Sequence, residues 1–106
     1  MAKYHVVSNP SHYSSSLDDA RACAIYEIRS ESGATIPIER KATNSNSYNT
    51  IGAVHSYFNP FTGQIAYMYI QYIGSKGQFK EYPLNRSGTI DTKMSPAMRK
   101  ELSKLW

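Results

Sequence analysis

Three histidines, one cysteine and a cluster of tyrosines are the side chains whose types could carry chemistry in this 106-residue chain. His5, His12 and His55 could each take or give a proton near neutral pH, as general acid–base catalysis requires. Their spacing forms no signature. His55 lies on an alternating segment with Tyr57, and with Tyr67 and Lys80 nearby it would suit a metal-independent ribonuclease. Without a demonstrated cleft, the pattern favours a hydrogen-bonded structural histidine. No closely spaced His/Cys/Asp/Glu set has the ligand pattern of a zinc or calcium site, so neither metal nor cofactor is expected. Cys23 would need a base and exposure to act as a nucleophile, whereas its neighbours Ala20, Ala24 and Ile25 point to a packed, inert thiol.

Five of the nine tyrosines fall between Tyr57 and Tyr82. A tyrosine offers a rigid apolar body with a polar tip, suited to burying area against a partner or stacking on a base. The same block holds Gly74-Ser75-Lys76-Gly77, which has the GxxG lettering of a KH-domain phosphate loop. A KH loop joins two helices, and this tetrapeptide sits between strand-like segments, so a tight hairpin turn explains it better.

The elements that must position these residues follow from periodicity and turn chemistry. Lys3 to Ser8 alternates as a short strand, ended by Asn9-Pro10-Ser11. Ser16, with Asp19 at capping-box spacing, predicts a helix from Leu17 to Ser32 whose stripe is Leu17, Ala20, Ala24, Ile25 and Ile28, with Gly33 as its left-handed cap. Ala34 to Ala42 reads as a strand, and Pro37, which cannot donate to a ladder, places it at a sheet edge. Thr43 to Thr50 is polar and reads as a loop. Near the end, Ser95-Pro96 opens a short helix carrying Met98, Leu102, Leu105 and Trp106, docked on the core.

The central hairpin allows a register to be written down. Pro60 and Gly63 suit a four-residue loop in which Asn59 faces Gln64. Phe58 then opposes Ile65, Tyr57 opposes Ala66, Ser56 opposes Tyr67, His55 opposes Met68, Val54 opposes Tyr69 and Ala53 opposes Ile70. A second hairpin closed at Gly74 to Gly77 pairs Tyr72 with Phe79, Gln71 with Lys80 and Tyr69 with Tyr82. Both faces mix apolar and polar residues. The aliphatic pair Met68 and Ile70, joined by Tyr57 and Tyr72, is expected beneath the helix, leaving Tyr67, Tyr69 and Tyr82 with Lys80 and Gln71 as a contact surface.

Composition bounds the class. The length suits one compact domain over residues 1–106, and a lone cysteine excludes an internal disulfide and favours a reducing compartment. With no secretory leader or bilayer-length apolar run visible, a cytoplasmic, membrane-free location is expected. The formal charge of +4 is dispersed, its only adjacent pairs being Arg40-Lys41 and Arg99-Lys100. The fold expected is α+β: a mainly antiparallel sheet, one helix on a face and a short C-terminal helix. Its α-β-β-β-α succession is similar to the element order of double-stranded-RNA-binding domains, but Ser95-Pro96-Ala97-Met98 stands where their basic cluster would be. The build also resembles that of small phage-encoded inhibitors, including anti-CRISPR proteins. The function expected is non-catalytic binding: steric blockade of a larger protein, as by a phage-type inhibitor of a host defence enzyme, by a monomer or homodimer. One alternative is single-stranded nucleic-acid binding, with the tyrosines stacking on bases and Arg40, Lys41, Lys76 and Lys80 on phosphates; a ribonuclease using His55 is the other.

Overall fold

Ser16 starts the helix as its type requires: extended backbone, with its side chain accepting the Asp19 amide at 3.4 Å. The Asp19 carboxylate turns back to the Ser14 hydroxyl at 2.8 Å, and Ser14 Oγ accepts the Ser16 amide at 3.1 Å, so the first turn is tied to the segment before it. This is a computed structural model, describing residues 2–73 and 77–93 with Lys100. In chain order it contains β1 (Lys3–Val6), α1 (Leu17–Ile28), β2 (Thr35–Lys41), β3 (Asn49–Asn59), β4 (Gln64–Ile73) and β5 (Gln78–Leu84). The strands form one antiparallel sheet in the order β1-β2-β3-β4-β5, giving an α+β fold. The C-terminal helix expected from Ser95-Pro96 onward lies outside the described residues.

Both hairpins have the expected register. Asn59 faces Gln64 and each pair from Phe58↔Ile65 to Ala53↔Ile70 is present; Tyr72↔Phe79, Gln71↔Lys80 and Tyr69↔Tyr82 follow across β4 and β5. Gly63 closes the first turn at φ 71, donating its amide to the Asn59 carbonyl at 2.8 Å.

Three expectations require correction. The helix ends at Ile28, before Ser32, and Gly33, although at φ 82, is not its cap. Gly33 instead donates to the Ser56 carbonyl at 2.8 Å, extending the β3 ladder into the connection. Pro37 is not on an edge strand, since β1 and β3 flank β2. Its carbonyl accepts the Val7 amide at 3.1 Å, so its ring nitrogen also faces the β1 side, just past the last β1 pair, Val6↔Ile38. A missing donor there breaks no bond to β3. The polar loop is also shorter than expected, because β3 begins at Asn49 and Tyr48 stacks on His5 with ring centroids 3.9 Å apart.

The largest correction concerns the faces. α1 covers the tyrosine side: Ala20, Ala24, Ile25 and Ile28 pack in one buried cluster with Val6, Ile38, Val54, Tyr67, Tyr69 and Leu84. Met68 is buried on the opposite face with Tyr57, Ala66 and Ile70, while Tyr72, expected in the core beside them, is 47% exposed. The physical reason is shape and partnering. Two alanines on the helix leave room for rings below, and the Tyr67 hydroxyl donates to the Arg29 carbonyl at the helix end, 3.2 Å away.

Gly52 makes the seat for Tyr69. A Cβ there would collide with the Ile70 carbonyl and lie 2.9 Å from the Tyr69 hydroxyl. Beside it, β3 carries one extra residue, Ile51, between the pairs Ile38↔Gly52 and Glu39↔Thr50, which turns Ile51 toward the helix-side core. Gly52→Ala is expected to lower stability by about 1–3 kcal/mol through overpacking. Urea denaturation would show a lower midpoint at unchanged slope, and an unshifted midpoint would contradict this seat.

Candidate functional site

The five residues expected to form the contact surface are divided by α1. Tyr67 and Tyr69 are 4% and 1% exposed beneath it, out of a partner's reach. Burial pushes the Tyr69 phenol up to about 12, against the lowering influence of Arg21. Tyr82 is half-buried and stacks on Tyr69 with centroids 6.5 Å apart. Gln71 and Lys80 remain exposed, directly opposite one another across β4 and β5.

Sequence reasoning missed the neighbouring pair. Tyr72 and Phe79 oppose each other one residue further along and are 47% and 54% exposed. Alternation sends them to the face away from α1 while Gln71 and Lys80 point to the helix side. The β4–β5 end therefore presents two apolar rings on one side and an amide and an ammonium on the other. The available signal was position: both rings lie at the hairpin's turn end, where the sheet has little left to cover them.

Between those two pairs runs an open strand edge. At the far end of β5 the Pro83 carbonyl accepts the Asp91 amide at 2.7 Å, so the Pro83 main chain points out of the sheet. The period of two along a strand makes Phe79 and Glu81 present their N–H and C=O groups outward as well. Among the described residues nothing pairs with these groups. The opposite edge is closed, since Ser14 exchanges two main-chain bonds with Tyr4, at 2.7 and 2.9 Å.

The histidines are not brought together. His5 is 4% exposed, bonded through Nε2 to Glu39 at 2.9 Å, and packed against Tyr48. His12 is exposed in the loop after β1. His55 Nδ1 lies 2.6 Å from Thr35 Oγ1, and its ring borders a cleft of about 340 Å³ with Tyr57, Phe58, Pro60, Ser32 and Gly33. The described lining holds no carboxylate or second imidazole to share proton transfer with it. Burial, aided by Asp91, raises the Tyr57 phenol to about 12, so that ring is a poor acid at neutral pH. Cys23 packs against the core; burial and then Glu27 push its thiol up, away from the reactive thiolate. Among the described residues no group of three His, Cys, Asp or Glu could hold a metal ion, and no helix is long and apolar enough to cross a membrane.

Burial holds the His55 imidazole below its ordinary 6.5. The unfolded chain therefore takes up a proton first as pH falls through that value. Stability from the neutral ring is complete above 6.5 and is lost below it until the folded ring also charges. Thermal melts from about pH 7 to about pH 5 should show a fall in Tm that is smaller in His55→Asn. Parallel falls in both proteins would contradict a half-buried, neutral His55.

No protein-family model matches the chain, and no curated protein or solved structure shows significant similarity to it.

Proposed function

We propose that the protein is a non-catalytic binding protein that blocks a surface of a larger protein partner through the β4–β5 end of its sheet. The observation that carries this reading is the exposed cross-strand pair Tyr72–Phe79 beside the open β5 edge. Half-exposed aromatic rings are the residue type that supplies binding energy at the centre of an interface. Gln71 and Lys80, opposite each other on the other side, form a polar rim, with Tyr82 partly accessible behind them. The outward N–H and C=O groups of Phe79 and Glu81 can pair with an extended segment of the partner, adding a strand to the sheet.

Such a surface acts by occupying space and needs no titrating group. That mode suits a phage-type inhibitor of a host defence enzyme. The same edge can pair two copies of the chain, so sedimentation of the isolated protein belongs with the binding assay.

The test is capture from nuclease-treated host lysate by immobilised wild type and by a Tyr72→Ala/Phe79→Ala variant, with folding followed by circular dichroism. Each truncation should cost about 2 kcal/mol, so the double variant should lose the partner bound by wild type. Lys80→Ala, at the rim, should slow association and change affinity by about threefold or less. Equal capture by wild type and the folded double variant would remove this surface from consideration.

A further inference from the structure

The corner formed by β1 and the end of β2 gathers cations that form no ion pair among the described residues. Register places Lys3 directly opposite Lys41, and Tyr4 opposite Arg40. Like charges directly opposite each other on one face destabilise a sheet. Glu39, on the next pair of the same face, bonds His5 at 2.9 Å and forms no ion pair with Lys3 or Lys41. Among the described residues, Glu39 bonds His5 and Asp18 pairs with Arg21, and neither contact includes Lys3, Arg40 or Lys41.

Each of these cations lies instead over an aromatic ring. Lys3 Nζ is 4.6 Å from the Tyr13 centroid, the Arg40 guanidinium 6.0 Å from Tyr4 and Lys41 Nζ 5.9 Å from Tyr48. Tyr13 remains 55% exposed. Tyr48 is held flat by stacking on the buried His5 ring at an interplanar angle of 27°. Tyr4 and Arg40, on the α1 side of the sheet edge, line a cleft of about 370 Å³ that reaches Thr50, Gln71 and Tyr72, while Lys3 and Lys41 lie on the other side of the same edge. Three cations that form no ion pair among the described residues, each over a tyrosine ring, match the chemistry of a flexible polyanion that has flat rings to stack.

We propose that this corner binds single-stranded nucleic acid, with Lys3, Arg40 and Lys41 on phosphates and Tyr13 stacking on a base. It differs from the site first expected, which combined Arg40 and Lys41 with Lys80. Strand order puts Lys80 on the far edge of the sheet, and Lys76 lies outside the described residues. A duplex hides its base faces, so the stacking term selects single strands. Lys3, Lys41 and Tyr13 lie outside the Tyr72–Phe79 surface, so variants at these residues separate the two readings even though the Arg40 cleft reaches Gln71 and Tyr72.

Fluorescence anisotropy with labelled fifteen-residue oligo-dT and oligo-rU probes tests it. Wild type should bind at about 50 mM salt, with log K falling against log salt at a slope near −2 for three phosphates. Lys3→Gln/Lys41→Gln keeps the side-chain stems and removes the facing charges. It should melt no lower than wild type yet bind at least tenfold more weakly, with the slope reduced to about −0.7. Arg86→Gln/Lys93→Gln, an equal charge change beyond β5, should alter affinity less than threefold. Tyr13→Ala should weaken binding at least fivefold, the low end for one lost stack. No binding by wild type, equal losses in the two charge variants, or equal competition by duplex of the same length would each overturn the proposal.

Discussion

A buried guanidinium on the helix organises the molecule. Arg21 is 5% exposed, and removing such a charge from water costs several kcal/mol unless its donors are satisfied. Its Nε donates to the Gly88 carbonyl at 2.7 Å, its terminal nitrogen pairs with Asp18 one helical turn back, and its planar group lies 5.1 Å from the Tyr69 ring centroid. One side chain thus joins α1, β4 and the segment after β5. The close approach continues at Gly88, at φ 86, where a Cβ would sit 2.6 Å from the Ala22 amide nitrogen. Tyr69, in turn, is held from below by Gly52. Arginine, tyrosine and two glycines form a stack from the segment after β5, past α1, to the sheet at β3.

That stack decides which surfaces are available for function. Once the helix takes Tyr67 and Tyr69, the aromatic block no longer forms one patch. Its remaining accessible rings lie at the ends of strands, where Tyr72 and Phe79 face away from α1. Loop residues 85–91, pinned to the helix through Gly88 and to β5 through the Asp91–Pro83 bond, close one end of the β5 edge and leave Phe79 to Glu81 open. The cationic corner at β1 and β2 shares the end of the sheet where that hairpin turns. Both proposed surfaces therefore lie where the core is thinnest and side chains have least to pack against.

What was legible in the chain depended on whether a local rule applied. Asn59-Pro60-Phe61-Thr62-Gly63 admits few backbone paths, so its turn carried the register of β3 and β4, and Gly77, at φ 71, helped close the next hairpin. Ser16 and Asp19 likewise marked the start of α1. The buried face was not legible from hydrophobicity, because Met68 and Ile70 outrank tyrosine on any such scale while the helix above is lined with alanine. The informative residues were Ala20, Ala24 and Gly52, whose small size reserves volume for a ring. Pro37 misled because a missing donor constrains one side of a strand over one residue, and β1 stops at that point. The burial of Arg21 was not legible, since its partners, Gly88 and Tyr69, are 67 and 48 positions away. The cationic corner was hidden for a related reason: Lys3 and Lys41 meet only through strand pairing.

The central claim is that α1 lies on the tyrosine face, locked by Arg21 over Tyr69. Nuclear Overhauser effects from the Ala20, Ala24 and Ile25 methyl groups test it on the intact protein in solution. The account predicts cross-peaks from these methyls to the rings of Tyr67 and Tyr69, with the Arg21 side-chain protons shifted upfield by the Tyr69 ring. Cross-peaks from the same methyls to Met68 and Ile70 would place the helix on the other face and contradict it.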